Sequence, residues 1–171
     1  MKFLIPVFLL LALVSANAQE NVVPPTSQFT VNGCVTNELT LTIPDLEQYK
    51  QEELHDVLIR NQKGETKRTA KSVKGILLKT ILERAGVHAE KPKDYSQIYI
   101  VLIASDDYKN VYSWNELFRT EIGNHIYIVT AEDGQTLEQL PGRIQVMSLG
   151  DFHSGNRNLR GLAKIEVRKV E

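Results

Sequence analysis

Two stretches of this chain gather the side chains that chemistry uses. The first, Ala104-Ser105-Asp106-Asp107-Tyr108-Lys109-Asn110, follows the most apolar internal segment and collects acidic, aromatic and amide groups, with Tyr112 and Trp114 just beyond. A loop at the end of a rigid buried strand is a common place for function. The second, Leu149 to Gly161, carries Gly150, Gly155 and Gly161 among Asp151, Phe152, His153, Ser154, Arg157 and Arg160, and Arg143 stands shortly before it. Glycines let backbone N–H groups converge on an anion, and guanidinium groups offer planar paired donors to phosphate or carboxylate. The candidate ligand-binding residues are therefore Asp107, Tyr108, Trp114, Arg143, Asp151, Ser154, Arg157 and Arg160. Each stretch also reads as a solvated polar loop between strands, and neither identifies a ligand by itself.

Other chemistries find little support. The sequence contains no G-x-S-x-G elbow, P-loop or G-x-G-x-x-G run. The four histidines, His55, His88, His125 and His153, are scattered without metal-ligand spacing. Cys34 is the single cysteine, so it has no internal disulfide partner and reads as a small buried hydrophobe. No residue is assigned a catalytic role. With a net charge of −1, 42% hydrophobic and 24% charged residues, the chain lacks the basic excess of a nucleic-acid binder and the bias of a disordered one.

The N-terminus reads Met1-Lys2, an apolar run from Phe3 to Val14, and then Ser15-Ala16-Asn17-Ala18. A positive start, a short apolar stretch and a small-x-small end make residues 1–18 a cleavable secretory signal, with cleavage expected after Ala18. The run is too short for a span, which takes about 20 apolar residues, and no second run suggests one. The expected location is periplasmic or secreted. What remains is a chain of roughly 150 residues, large enough to bury about 70% of its extended surface without staples.

The elements that must position the two stretches follow from periodicity. Residues 19–27, with Pro24-Pro25, read as an extended leader, and one domain is expected over 28–171. Strands are expected at Phe29–Val35, Leu39–Ile43, Leu54–Ile59, Ile98–Ala104, His125–Ala131, Arg143–Met147 and Leu162–Val167. Proline at a first turn places a helix start at Ile43-Pro44-Asp45-Leu46, and Asn61–Thr66 is a turn. Leu77, Leu78, Ile81, Leu82 and Ala85 form one apolar stripe between Gly75 and Gly86, the clearest helix, with Gly86 as its cap. Ser113-Trp114-Asn115-Glu116 is a capping box that opens a short helix through Phe118. Strands and helices not in strict alternation predict an α+β domain with mixed sheets and a few short helices.

In order, these segments resemble the sulfite-oxidase-like, molybdopterin-binding family. The resemblance is carried by Phe29-Thr30-Val31-Asn32-Gly33-Cys34-Val35 with Leu39 to Leu46, by Lys74-Gly75-Ile76-Leu77-Leu78 to Leu82-Glu83-Arg84-Ala85-Gly86, and by Ser105-Asp106-Asp107-Tyr108 with Val111-Tyr112-Ser113 and Glu116-Leu117. Gly134 to Leu137, Gly142 to Val146, Arg157 to Arg160 and Ile165 to Val167 resemble its closing half. The resemblance implies the family's mixed-sheet fold. It also implies a molybdenum-ligating cysteine shortly after the strand that follows the Leu39–Leu46 segment, where this chain reads His55-Asp56-Val57-Leu58-Ile59-Arg60-Asn61-Gln62-Lys63-Gly64 and has none. The family's "D-G-Y" glycine is replaced by Asp107.

The resemblance therefore implies recognition of a pterin or molybdopterin without a metal. A pterin presents a donor pair to a carboxylate, for which Asp107 or Asp151 is the candidate. Its flat ring stacks on an aromatic face such as Tyr108, Trp114 or Phe152, and Arg157 or Arg160 holds its oxygens. Short secreted members that this chain resembles include pterin-binding proteins of bacterial signalling, which implies a membrane-bound partner that reads ligand occupancy. The alternatives are a molybdopterin-dependent oxidoreductase with a divergent metal ligand and a degenerate domain used for protein contact.

Overall fold

The structure is a computed structural model that describes residues 22–152 and 154–170. Residues 1–18, expected to be a secretory signal, and the start of the expected leader lie outside the described residues. So do His153 and the side chain of Ser154.

Among the described residues, eleven strands and three α-helices are joined by short 3-10 turns, and the strands build two sheets. The five-stranded sheet contains β1 (Gln28–Gly33), β2 (Leu39–Thr42), β5 (Ile98–Ala104), β6 (Lys109–Ser113) and β11 (Leu162–Lys169), in the order β2-β1-β11-β5-β6. Within it β1 runs parallel to β11, with Val31 opposite Ile165, while the other pairs are antiparallel. The first and last strands thus close the domain side by side. The second sheet runs β10 (Leu159–Arg160), β9 (Gln145–Ser148), β7 (Ile126–Glu132), β4 (Thr66–Leu77) and β3 (Glu52–Arg60), with β8 (Gln135–Thr136) hairpinned onto β7. The mixed sheets, short helices and α+β class expected from the sequence are the architecture observed.

One core joins both sheets: Phe29, Val31, Ile100, Leu102 and Ile165 from the first meet Ile76, Ile126, Ile128 and Val146 from the second, with Leu78, Ile81, Leu82 and Ala85 of α2 (Leu78–Ala85) among them. Val57, Ile59, Ala70, Val73, Val129, Leu140 and Met147 form a smaller second cluster. Burying a Leu- or Ile-sized side chain contributes about 1.5–3 kcal/mol, so the α2 stripe is what holds that helix in place.

Several expectations change at their boundaries. The helix begins at Leu78, not at Gly75, because Gly75 to Leu77 pair as strand with Tyr127 to Val129. Gly86 does cap it, with φ 69, its N–H reaching the Leu82 and Glu83 carbonyls. The first strand ends at Gly33, whose φ of 95 turns the chain before Cys34. Arg143 is not the start of a strand: with φ 59 after Gly142 at φ 74, it lies in a turn, and β9 begins at Gln145. The supposed loop through Asn110 is a short turn, since Lys109–Ser113 pairs along β5. The long β4 had no expected counterpart before Gly75, and only Ala70 and Val73 are buried in that polar part.

Candidate functional site

The β5–β6 turn is shaped by its acids. Asp106 accepts the Tyr108 N–H at 3.1 Å, and Asp107 sits at φ 66. A left-handed backbone favours glycine, with Asp among the few tolerated replacements. The position that the family resemblance aligns with a glycine has the backbone a glycine favours. Ser105 Oγ donates to the Pro24 carbonyl, fastening the leader beside this turn.

The segment between β9 and β10 is tied down from both sides. Arg157 Nη1 donates to Glu116 Oε1 at 2.8 Å and to Asp151 Oδ1 at 3.1 Å, while its guanidinium lies over the Tyr112 ring at 3.9 Å. Asp151 Oδ2 accepts from Ser148 Oγ at 2.6 Å. Glu116 Oε2 accepts the Ser113 N–H, completing the capping box of α3 (Trp114–Arg119). Asn110 Nδ2 donates to the Arg157 carbonyl at 2.8 Å, and Asn158 Oδ1 accepts the Ser148 N–H at 3.1 Å. Tyr108 Oη donates to the Asn156 carbonyl. Burial opposes the Arg157 charge, but the Glu116 hydrogen bond and the neighbouring Tyr112, Asp151 and Glu116 carry its pKa above the ordinary value. Burial pushes the Tyr112 phenol up, against the effect of Arg157, and its hydroxyl has no hydrogen-bond partner among the described residues.

Beside this latch lies a cleft of about 420 Å³, within the size range of small-molecule sites. Its walls come from the end of β3 and the following turn (Arg60, Asn61, Gln62), from Lys67 and Arg68 of β4, from Asp106 and Tyr108, and from Gln145, Gly155, Asn158 and Arg160. Val23 of the leader also lines it. Arg60 is held by the Gly64 carbonyl at 3.0 Å, and Arg68 pairs with the buried Glu132. Lys67 and Arg160 make no ion pair among the described residues. Arg68 is thus compensated by Glu132, and Arg60, Lys67 and Arg160 against Asp106 still leave an excess of positive charge in this cleft of a chain of net charge −1.

Of the candidates from sequence, Tyr108 and Arg160 line the cleft, and Asp107 stands next to its Asp106. Asp151 and Arg157 come together in the latch, where both Asp151 oxygens are already engaged. Trp114 packs between Tyr95 and Phe118, with ring centroids at 4.4 and 5.0 Å, and Arg119 lies over it. Arg143 stands in its turn, bridged to Thr26. Phe152 is 93% exposed. Sequence reasoning did not anticipate Arg60, Asn61, Gln62, Lys67 or Asn158, nor Glu116 as a partner of Arg157. The charge run Lys63 to Lys74 was the available signal for the first group, but it reads as an ordinary solvated hairpin.

The residues present do not fit molybdenum. Cys34 follows β1 in the five-stranded sheet, its N–H bonded to the Val167 carbonyl, whereas the expected ligand position falls at the end of β3 of the other sheet and the turn after it. Among the described residues no group of three or more His, Cys, Asp or Glu side chains could hold a metal ion. A soft thiolate is not replaced by amide or guanidinium groups. The cleft instead offers amides, one carboxylate, one phenol and four cationic side chains. No helix among the described residues is long and apolar enough to cross a membrane.

In structure the chain is similar to the sulfane dehydrogenase SoxCD from Paracoccus pantotrophus, with a TM-score of 0.62 at 12% identity, over 88% of this chain and 41% of that one. The likeness is one of fold. This chain spans well under half of that dehydrogenase chain. No family model and no curated protein matches the sequence.

Proposed function

We propose that this protein is a non-catalytic binding protein for a pterin-type ligand bearing negative charge, acting in the periplasm or outside the cell after removal of residues 1–18. The observation that carries the reading is the cleft of about 420 Å³ with Arg60, Lys67, Arg68 and Arg160 around it and no thiol near it. In this reading Lys67 and Arg160 face the anionic group, and Asp106 accepts one pterin N–H through the oxygen that Tyr108 leaves free. The Tyr108 ring, 45% exposed, offers a stacking face, and Asn61, Gln62 and Asn158 supply amides. A membrane-bound partner that senses occupancy belongs to the same reading. Titrating pterin-6-carboxylate by fluorescence tests it. Lys67→Gln and Arg160→Gln are each expected to weaken binding about tenfold, about 1.4 kcal/mol, with unchanged circular dichroism. Unaltered affinity in both variants would remove the cleft from the account.

The likeness to a sulfane dehydrogenase favours a second reading, a molybdopterin-dependent oxidoreductase. It requires a metal ligand of a kind that the cleft does not contain, and molybdenum bound in the purified protein would restore it.

A further inference from the structure

We propose that Arg157 is a positioning residue for the cleft: it touches no ligand itself, and its bonds to α3 and Asp151 hold Asn158 and Arg160 where they face the cleft. The effect on ligand binding rests on the pterin reading; the effect on the cleft wall does not. Arg157 does not line the cleft, but Gly155, Asn158 and Arg160 around it do. Its guanidinium joins the second carboxylate oxygen of the capping-box Glu116 to Asp151, and its own carbonyl is held by Asn110 of β6. The segment is therefore fastened to the five-stranded sheet while its next residues pair with β9 of the other sheet. A second fastening lies across the cleft. A Cβ at Gly155 would stand 2.5 Å from the Asn61 carbonyl carbon and 2.9 Å from the Arg60 oxygen, so only glycine lets the segment seat on the end of β3. One segment thus spans from Arg157 to the Arg60–Gln62 turn, and its seating sets the width of the cleft.

The test has a ligand-free arm and a binding arm, both on the full mature chain. Amide hydrogen exchange in Arg157→Gln should speed about tenfold at Ser148, whose N–H Asn158 holds, and at Asn61 under Gly155, with β5 and β11 unchanged. Arg157→Lys, which keeps charge and donors, should recover much of the protection. Gly155→Ala, with Arg157 intact, should loosen the same amides from the other end. In the binding arm, Arg157→Gln should weaken pterin-6-carboxylate about tenfold. Adding Arg160→Gln should then cost under about twofold more, while adding Lys67→Gln keeps its full effect. Exchange that rises everywhere or nowhere, or full additivity of Arg157→Gln with Arg160→Gln, would overturn the positioning role. If the unaltered protein fails to bind the pterin, the proposed function falls and the exchange arm still decides the role of Arg157.

Discussion

Replacing Arg157 by glutamine is expected to cost about 2–3 kcal/mol of folding stability. The guanidinium serves two carboxylates from one nitrogen, at 2.8 and 3.1 Å, and the side chains of Arg157, Glu116 and Asp151 are only 25%, 23% and 13% exposed. Fully exposed ion pairs contribute about 0–1 kcal/mol, whereas removing one partner of a fully buried pair costs about 3–5 kcal/mol. Partial exposure places this network between the two. The cost is mainly that of two neighbouring carboxylates left without their cation, so removing one of them should return part of it. Glu116→Gln in the Arg157→Gln background is expected to recover about 1 kcal/mol, although Glu116→Gln alone destabilises. Urea denaturation followed by circular dichroism measures this, with the slope against denaturant unchanged so that midpoints are comparable. A cost under about 0.5 kcal/mol for Arg157→Gln would place the pair among ordinary surface bridges. Additive losses in the double variant would refute the account of why removal is costly.

Three further outcomes follow from local geometry. Gly33→Ala should cost about 3 kcal/mol or more, read by thermal denaturation, because φ is 95 and the new Cβ would lie 2.1 Å from the Val167 carbonyl oxygen. Burial and the Glu52 hydrogen bond push the Tyr127 phenol up to about 12. Its folded pKa exceeds that of an unfolded tyrosine, so its contribution is complete below the unfolded value and is lost as pH rises from there toward 12; Tyr127→Phe should flatten that alkaline decline in urea midpoints. Phe152→Ser should leave stability within about 0.5 kcal/mol, since Phe152 is 93% exposed; a larger loss in the same urea assay would mean that the side chain packs.

The parts of the fold that alternate or repeat strongly were readable from sequence. Ile98–Ala104, the α2 stripe with its Gly86 cap and the Ser113–Glu116 capping box are local patterns, and each forms, although Leu77 of the stripe ends β4 and the helix starts at Leu78. The polar part of β4 is not such a pattern. Lys67, Arg68, Lys71 and Lys74 face away from the core, and the strand is fixed by pairing with β3 and β7, which no local rule contains. Asn110 reads as the end of a loop because a short turn gives no hydrophobic signal, yet it is buried on β6 and, with Tyr112 of the same strand, serves the latch. The association of Asp151 with Arg157 was accessible, as both lie in one glycine-rich segment. Glu116 was not, because it joins them across 41 residues of chain. Three of the cleft's four cations, Arg60, Lys67 and Arg68, belong to a hairpin whose charges look solvated until the segment at Gly155 is seen to close over its end.

The most direct test of the central claim is the content of the protein purified from its native compartment, denatured and assayed by mass spectrometry and fluorescence for released pterins alongside elemental analysis for molybdenum. The account predicts a pterin, released without stoichiometric metal. Molybdenum released together with a pterin would contradict the non-catalytic reading, and protein that carries no pterin and binds none when offered would contradict the ligand itself.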